Sequence, residues 1–491
     1  MRLISAASAL LLAYLVWASR GWPLIHDAPL MHYIAWLIGQ GAVPYRDAFD
    51  MNLPGVYVIH LAALRLGGVD DLSWRLFDLG WLALTCVGLV AYCRRVGHGW
   101  GAFAAGLLFA LYHLSGGAWH AGQRDFFLCL FLLLGAWGVA RGTEQRAGGA
   151  LVWGGLALGM AMTIKPHAAL FWLLCAALAA RDRALSLSAW SAAALVIVPG
   201  LLPPAAIAAW LAGNGGLGPF LDIFTGYVAP LYGRIGRVGP WQAVVWHPYG
   251  RLLAGLFLAL SLLALIAPPP REAARKGLAL MGVLYGVVHF VVQGKGWEYQ
   301  LYPLVLFCCA LAPAAVVRWR PVEWPRLLDL FGARRLLAMT AWALLVLVLG
   351  AKGVEALDAP WITQKARRVS AIARDLQPLV PPGATVQVMD TTSGGIHALL
   401  RLGLREPTRF IYDFHFFHDG EDPRIAALRA EFVAGLERGR PAAVVVLEES
   451  WPERGYERLD AFPELARLLD RSFMLAVAGE GYRIYAKRSD S

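Results

Sequence analysis

Long apolar runs separated by short polar turns fill the first 353 residues of the chain. The runs lie at residues 3–19, 72–93, 99–115, 125–140, 149–164, 166–180, 186–211, 252–267, 277–293, 299–317 and 336–353. Several approach 20 residues, the length that an α-helix needs to cross a hydrocarbon core about 30 Å thick. The first run could be a signal peptide, but Val16-Trp17-Ala18 is a poor cleavage site because tryptophan separates the small residues. The pattern therefore predicts eleven membrane-spanning helices, the first of them uncleaved.

One further apolar run, Val56–Leu66, is short, and charge decides its placement. As a helix it would extend only about 17 Å, so it suits a helix lying in the membrane interface rather than a span. With this placement the basic loops 94–98, 141–149, 181–186, 268–276 and 318–335 share one side, as the positive-inside rule requires. If the run crossed the membrane, every later loop would change sides and the rule would fail. We therefore expect the N-terminus in the cytoplasm and the C-terminus outside.

From about Val354 the pattern becomes that of a water-soluble domain. It predicts strands at Thr385–Met389, Thr408–Phe414, Ala442–Leu447 and Tyr482–Ala486, and helices at Ala366–Leu376, Ile396–Leu402 and Pro423–Arg438. Strands separated by helices are typical of a small α/β layer domain. No glycine-rich phosphate-binding pattern follows any of these strands. The sequence thus divides into a transmembrane domain at 1–353 and an external α/β domain at 354–491.

Composition agrees with an α-helical polytopic membrane protein. The chain is 58% hydrophobic and 16% charged, with a mean hydropathy of +0.53, outside the range of soluble globular domains. The net charge of +10 does not indicate nucleic-acid binding, because the basic residues of the apolar part sit mostly in short loops. The six cysteines fall in apolar runs, so the soluble part shows no disulfide framework.

Acidic residues cluster at the ends of predicted spans on the external side. Asp27, Asp47 and Asp50 lie in the first loop, and Asp125 stands at the start of a later span beside Arg124. Charge beside lipid is costly and tends to be kept for function. Asp27 could take the proton of an acceptor hydroxyl, with Asp47 and Asp50 as alternative bases. A solvated interfacial acid at Asp27 and a structural Arg124–Asp125 pair remain the non-functional alternatives.

Four cations share that side: Arg46, Arg124, Lys165 and Lys295. Lysine and arginine bind phosphate through charge-assisted hydrogen bonds, and we expect Lys165 and Arg124 to line the same cavity as Asp27. The alternatives are that Lys165 reaches water at its tight turn and that Lys295 extends to the interface from a helix end. A phosphate leaving group needs positive charge and an acceptor hydroxyl needs a base. Together these residues predict glycosyl transfer, with inversion, from a polyprenyl-phosphate sugar.

The same residues carry a family resemblance. The pattern comprises Asp27, Tyr33, Gly41, Pro44-Tyr45-Arg46-Asp47, Asp50, Pro54-Gly55, Tyr57, Arg124-Asp125, Lys295, Trp297, Glu298, Tyr299 and Tyr302-Pro303. It resembles the GT-C superfamily of membrane glycosyltransferases, in the bacterial branch of aminoarabinose transferases and relatives of protein O-mannosyltransferases. The resemblance implies two external juxtamembrane helices in the first loop, and Asp27 and Asp125 as the catalytic acids. The residues and the resemblance together predict a substrate-binding set comprising Arg46, Asp47, Asp50, Arg124, Lys165, Lys295, Glu298 and Tyr299.

The acceptor class and the cofactor stay open at this point. The single acid at Asp27, where mannosyltransferase relatives carry Asp-Glu, argues against protein mannosylation. His26, His120 and His247 lie on the external side without a recognisable metal-binding spacing. No cofactor is required by the pattern, although a divalent ion held by Asp27, Asp125 and His120 remains an alternative.

The sequence therefore predicts an inverting glycosyltransferase at the periplasmic face of a bacterial inner membrane. Its expected partners are a polyprenyl-phosphate sugar, a glycan, lipid or protein acceptor, and membrane lipids, but not nucleic acid. The alternative is a transporter or flippase of a lipid-linked glycan, a class that typically shows inverted repeats and polar residues near the membrane midplane.

Overall fold

The computed structural model describes residues 2–97, 99–181, 188–239, 241–242, 248–265, 273–316, 325–451 and 454–488. The chain forms two compact units. The first comprises Met1–Gly21, Leu76–Ile207 and Val238–Asp358, and the second comprises Trp22–Arg75, Ala208–Arg237 and Ala359–Ser491. The last boundary lies close to the predicted division at 353/354. The second unit also contains the first loop and residues 208–237, together with the C-terminal segment.

Helices make up most of the described chain. They are α1 (Arg2–Ala18), α2 (Ala28–Gly39), α3 (Gly55–Gly67), α4 (Asp71–Cys93), α5 (Gly99–Ser115), α6 (Arg124–Gln145), α7 (Gly148–Ile164), α8 (Ala168–Arg181), α9 (Ala189–Gly213), α10 (Leu217–Ile223), α11 (Pro248–Leu265), α12 (Ala273–Gln293), α13 (Tyr302–Ala315), α14 (Pro325–Leu357), α15 (Pro360–Leu376), α16 (Gly395–Leu402), α17 (Pro423–Gly439) and α18 (Pro463–Ser472). A π-helix, Phe224–Tyr232, follows α10.

A helix occupies each of the eleven predicted apolar runs: α1, α4 to α9, and α11 to α14. Seven helices of the described chain are long and apolar enough to cross a membrane, judged by length and composition. The protein is therefore a multi-pass α-helical membrane protein. Large parts of the basic loops 181–186, 268–276 and 318–335 lie outside the described residues, so the orientation in the membrane stays a prediction.

Close helix packing in the first unit depends on small residues. A Cβ atom added at Gly138 of α6 would lie 2.5 Å from the Cα atom of Gly154 in α7. Only glycine permits this approach, and in lipid such close packing drives helix association because no hydrophobic effect is available between helices.

The first loop forms the two predicted juxtamembrane helices, α2 and α3. Helix α3 has 13 residues and coincides with the run Val56–Leu66. At 1.5 Å per residue it is about 20 Å long, too short to span. Within the second unit this loop contacts the C-terminal segment: the amide of Phe49 donates to the carbonyl of Arg409 at 2.7 Å, and the Tyr33 hydroxyl donates to the carbonyl of Leu404 at 3.0 Å.

The C-terminal segment contains a four-stranded sheet of order β1-β2-β4-β3. The strands are β1 (Val386–Met389), β2 (Ala443–Leu447), β3 (Phe473–Gly479) and β4 (Tyr482–Lys487). β1 pairs parallel to β2, while β4 pairs antiparallel to both β2 and β3. Three of the predicted strands are confirmed as β1, β2 and β4, and the small α/β domain is confirmed with them.

The predicted strand Thr408–Phe414 is wrong. Its aromatic residues Phe410, Tyr412 and Phe414 are buried, but Phe410 forms only an isolated bridge, with Phe49 of the first loop. The apolar alternation therefore reflects burial against the first loop rather than sheet pairing. Conversely, β3 was not predicted, because this edge strand exposes Met474 and Leu475 on consecutive positions and so lacks a clear alternation.

Candidate functional site

Asp125 is the centre of a buried polar cluster in the first unit. It lies in the first turn of α6, where the helix dipole favours an acid, and its side chain is fully buried. Oδ1 accepts hydrogen bonds from His289 Nε2 at 2.6 Å and Gln293 Nε2 at 3.2 Å. Oδ2 lies 3.4 Å from the Lys165 ammonium. We call Asp125, Lys165, His289 and Gln293 the Asp125 cluster.

Lys165 joins the cluster from the turn that follows α7. Its backbone is extended, and its ammonium donates to Gln293 Oε1 at 2.8 Å. The side chain is 15% exposed, whereas that of Asp125 is 0% exposed. The lysine is therefore the member of the cluster that presents positive charge to a ligand.

A second buried network lies in the same unit. Asp78 Oδ2 is 3.0 Å from His113 Nε2, and the Tyr302 hydroxyl lies 2.8 Å from His113 Nδ1 and 3.1 Å from His120 Nδ1. The other oxygen of Asp78 accepts the Gly122 amide at 3.0 Å. Asp78 thus fixes the turn that leads into Arg124 and Asp125.

His120 belongs to this network rather than to the Asp125 cluster. Burial, followed by the charges of His113 and Lys352, holds the pKa of His120 well below its ordinary value. Sequence reasoning singled out His120 and missed Asp78. The available signal was an aspartate inside an apolar run, which is costly unless it has partners.

The segment 294–302 carries three further predicted residues. Glu298 is buried, and its two carboxylate oxygens accept from the Lys352 ammonium at 2.6 and 2.8 Å, a partner the sequence did not reveal. Tyr299 is buried against Trp119, with ring centroids 5.6 Å apart. Lys295 is half-buried in a turn whose flanking glycines have φ of 63° and 69°.

In the second unit, Asp27 stands at the start of α2. The preceding His26 has φ 62°, a conformation uncommon for a non-glycine residue and often kept at functional sites. Asp27 occupies the N-cap position, yet its side chain makes no capping hydrogen bond. Its carboxylate is 3.3 Å from His26 Nδ1, and the side chain is 23% exposed. The carboxylate is therefore not committed to holding the helix end.

Asp50 has a different environment. It is fully buried, and it accepts hydrogen bonds from the Met51 amide at 2.8 Å, from Asn52 Nδ2 at 3.0 Å, from the Tyr412 hydroxyl at 2.5 Å and from the Tyr57 hydroxyl. Burial and then the charge of Asp50 raise the pKa of Tyr57 well above its usual value, so this hydroxyl remains a donor. Asp50 acts as a structural acceptor.

Asp47 is paired with its neighbour. It accepts from the Arg46 guanidinium at 2.8 and 2.7 Å and from the Val43 amide at 2.8 Å. The hydrogen bond from Arg46 is the main favourable interaction that lowers the pKa of Asp47, against a smaller opposing effect of burial. Arg46 also donates to the carbonyl of Asn214 at 3.0 Å. A lowered pKa makes Asp47 a weaker base than an ordinary carboxylate.

Comparison with known proteins gives a partial family match and a shared fold. The family model of the dolichyl-phosphate-mannose-protein mannosyltransferases matches residues 53–207. The crystal structure of ArnT from Cupriavidus metallidurans bound to undecaprenyl phosphate is 16% identical, covers 99% of this chain and 98% of its own, and has a TM-score of 0.62. Over residues 53–207 the chain therefore matches a mannosyltransferase family model, and over its whole length it shares the fold of ArnT.

Two further results complete the comparison. An oligosaccharyltransferase from Archaeoglobus fulgidus, tethered with an acceptor peptide, is 12% identical, covers 99% of this chain and 74% of its own, and has a TM-score of 0.48. No curated protein sequence matches this chain.

The predicted site residues fall into two sets. Arg124, Asp125, Lys165, Lys295, Glu298 and Tyr299 belong to the first unit, and Asp27, Arg46, Asp47 and Asp50 to the second. In the first set the structure brings Asp125 and Lys165 together. In the second it pairs Arg46 with Asp47. One cavity shared by Asp27, Arg124 and Lys165 stays a prediction.

The divalent ion also stays a prediction. Within the described ranges, no group of three or more His, Cys, Asp or Glu side chains is arranged to hold a metal ion. Asp125 is bonded to His289 and Gln293, and His120 to Tyr302. His247 lies outside the described residues.

Proposed function

We propose that this protein is an inverting glycosyltransferase of the GT-C superfamily that moves a sugar from a polyprenyl-phosphate donor to an acceptor hydroxyl. We place the reaction at the periplasmic face of a bacterial inner membrane, on the charge asymmetry of the loops. The observation that carries the proposal is the Asp125 cluster, in which a partly exposed lysine is held beside a fully buried carboxylate. The fold shared with ArnT, a protein crystallised with undecaprenyl phosphate, supports the donor class.

The donor phosphate is assigned to Lys165. The carboxylate of Asp125 and the amide oxygen of Gln293 orient the ammonium, at 3.4 and 2.8 Å. When the bond between the anomeric carbon and the phosphate oxygen breaks, the electrons of that bond remain on the phosphate. A fixed positive charge stabilises this developing charge without a proton transfer. Arg124, adjacent in sequence to Asp125, adds a second cation near the start of α6.

The base is assigned to Asp27. The acceptor oxygen attacks the anomeric carbon from the side opposite the phosphate, and its proton passes to the Asp27 carboxylate. This single displacement inverts the anomeric configuration. Among the three acids of the first loop, Asp50 is buried and engaged by four groups, and Asp47 is paired with Arg46. Asp27 is partly exposed, its carboxylate lies 3.3 Å from His26 Nδ1, and it makes no capping hydrogen bond.

The proposal is tested by product stereochemistry and carrier release. Purified protein is supplied with polyprenyl-phosphate sugars of known anomeric configuration and with native acceptor extracts. NMR and mass spectrometry then follow the glycosidic product and the free polyprenyl phosphate. We expect a transferred sugar of inverted configuration and an equal amount of free carrier. Retained configuration would contradict the single displacement, and movement of intact donor across vesicles without cleavage would favour the flippase alternative.

A further inference from the structure

An apolar groove runs between α1, α4 and α5 in the first unit, with a volume of about 490 Å³. Its lining includes Leu12 and Val16 of α1, Ala83 and Val87 of α4, and Gly106 of α5. A Cβ atom at Gly106 would lie 2.7 Å from Val90 Cγ2, so the absence of a side chain there keeps α4 and α5 close. The groove is too large and too apolar for water alone to fill it favourably.

Positive charge and an aromatic residue meet at one end of this groove. Arg94, just beyond the end of α4, lines both the groove and an adjoining cavity of about 400 Å³ that also contains Trp100. The Arg2 guanidinium lies 5.8 Å from the centroid of the Trp100 ring. Arg2, Arg94 and Arg95 are all exposed. Tryptophan and arginine together at a helix end are typical of the lipid headgroup level.

We propose that this groove binds an anionic phospholipid, with an acyl chain along α4 and α5 and the phosphate held by Arg94. The charge of the site selects the headgroup, because the described residues that line the two cavities include Arg94 and no carboxylate. An arginine fork binds phosphate oxygens through charge-assisted hydrogen bonds. The loop asymmetry places this end at the cytoplasmic leaflet, where anionic lipids attract basic residues.

This site is separate from the proposed donor site in the same unit. Arg94 precedes α5, whereas Asp125 follows it, and the 17 residues of α5 extend about 25 Å at 1.5 Å per residue. The phosphate at Arg94 therefore cannot be the phosphate held at Lys165. The proposal does not depend on the reaction that the enzyme catalyses.

Native mass spectrometry of the purified full chain tests the site, with phosphatidylglycerol and phosphatidylcholine of equal chain length titrated in turn. Arg94→Ala should lower phosphatidylglycerol occupancy by roughly fivefold, the effect of losing one cation beside an anionic lipid. The matched control is Arg95→Ala, since Arg95 is exposed and adjacent but lines neither cavity. The Arg95→Ala variant should bind phosphatidylglycerol as the wild type does.

A second pair of variants tests the groove itself. Ala83→Trp fills the groove and should abolish tight binding, while Leu84→Trp, at a residue 61% exposed and outside the groove, should not. Equal occupancy by both phospholipids, or equal loss in variant and control, would overturn the proposal. Binding of undecaprenyl phosphate alone, or occupation of the groove by a second copy of the chain, would overturn it as well.

Discussion

Three aspartates of one short loop receive different roles from their neighbours. Asp27 is partly exposed beside His26, Asp47 is paired with Arg46, and Asp50 is fully buried. The sequence predicts the cluster of acids, but it does not show which of the three is placed to act as a base. The Tyr412 hydroxyl that helps to engage Asp50 comes from a residue 362 positions away, and no local pattern reveals such a partner.

The role of Asp27 is tested by Asp27→Asn, which keeps the size of the side chain and removes its basicity. Turnover should fall by roughly 10²–10⁴-fold, the usual contribution of a general base, while donor binding stays nearly unchanged. Asp47→Asn is the matched control and should lower turnover by less than about tenfold, because the Arg46-paired carboxylate is a weaker base. Steady-state kinetics with a purified donor gives both values. Near-normal turnover of Asp27→Asn would exclude Asp27 as the base.

Asp50→Asn should instead affect stability. An amide places N–H groups where the Asn52 amide and the hydroxyls of Tyr57 and Tyr412 donate, so at least one buried donor loses its acceptor. Such a loss costs about 1–3 kcal/mol. Thermal unfolding in detergent, compared with Asp47→Asn, measures the difference. An unchanged unfolding temperature would show that the Asp50 hydrogen bonds do not stabilise the second unit.

At the scale of elements, buried networks fix the ends of helices at the site. Asp78 in α4 accepts the Gly122 amide and contacts His113, and so positions the turn that leads into α6. The helices in the eleven apolar runs were predictable because long apolar runs have few alternatives in lipid. The polar contacts between helices could not be predicted from the sequence, because each contact joins side chains far apart in the chain.

Asp78→Asn tests this positioning role. The amide retains an acceptor for Gly122 or for His113 but not for both, so the start of α6 should lose its fixed position. A small displacement near the reacting groups can cost up to about 10²-fold in rate, and we expect kcat to fall more than donor affinity. Thr85→Val is the control, because Thr85 bonds only within α4, to the carbonyl of Trp81 at 2.9 Å among its described contacts. Equal kinetic effects of both variants would refute the positioning role.

At the scale of the whole molecule, local patterns predicted the helices and most strands but not the composition of the second unit. Residues 22–75 and 208–237 fold with the C-terminal segment. The Tyr227 hydroxyl, for example, lies 2.9 Å from His415 Nδ1. The apolar segment around Phe410 was predicted as a strand because its true neighbour, Phe49, is far away in sequence.

The predicted membrane orientation can be tested by cysteine labelling in intact cells. Pro382→Cys, at an exposed turn before β1, should react with a membrane-impermeant maleimide from outside. Gln145→Cys, exposed at the end of α6, should react only after permeabilisation, because positive-inside loops face the cytoplasm. The six native cysteines are buried or half-buried and give a low background. Protection of the Pro382→Cys variant in intact cells would contradict the external placement of the C-terminal segment.

The central claim is that Lys165 binds the phosphate of a lipid-linked donor, and the most direct measurement is carrier release by Lys165→Ala. Purified wild type and variant are given the same polyprenyl-phosphate sugar, and free polyprenyl phosphate is quantified by mass spectrometry. Lys276→Ala serves as control, since this lysine belongs to the same unit but lies at the opposite end of α12 from His289. We predict that kcat/KM falls about 10²-fold in Lys165→Ala, the scale of losing one preorganised charge at the reacting group, and is unchanged in Lys276→Ala. Wild-type kinetics in a folded Lys165→Ala variant would contradict the claim.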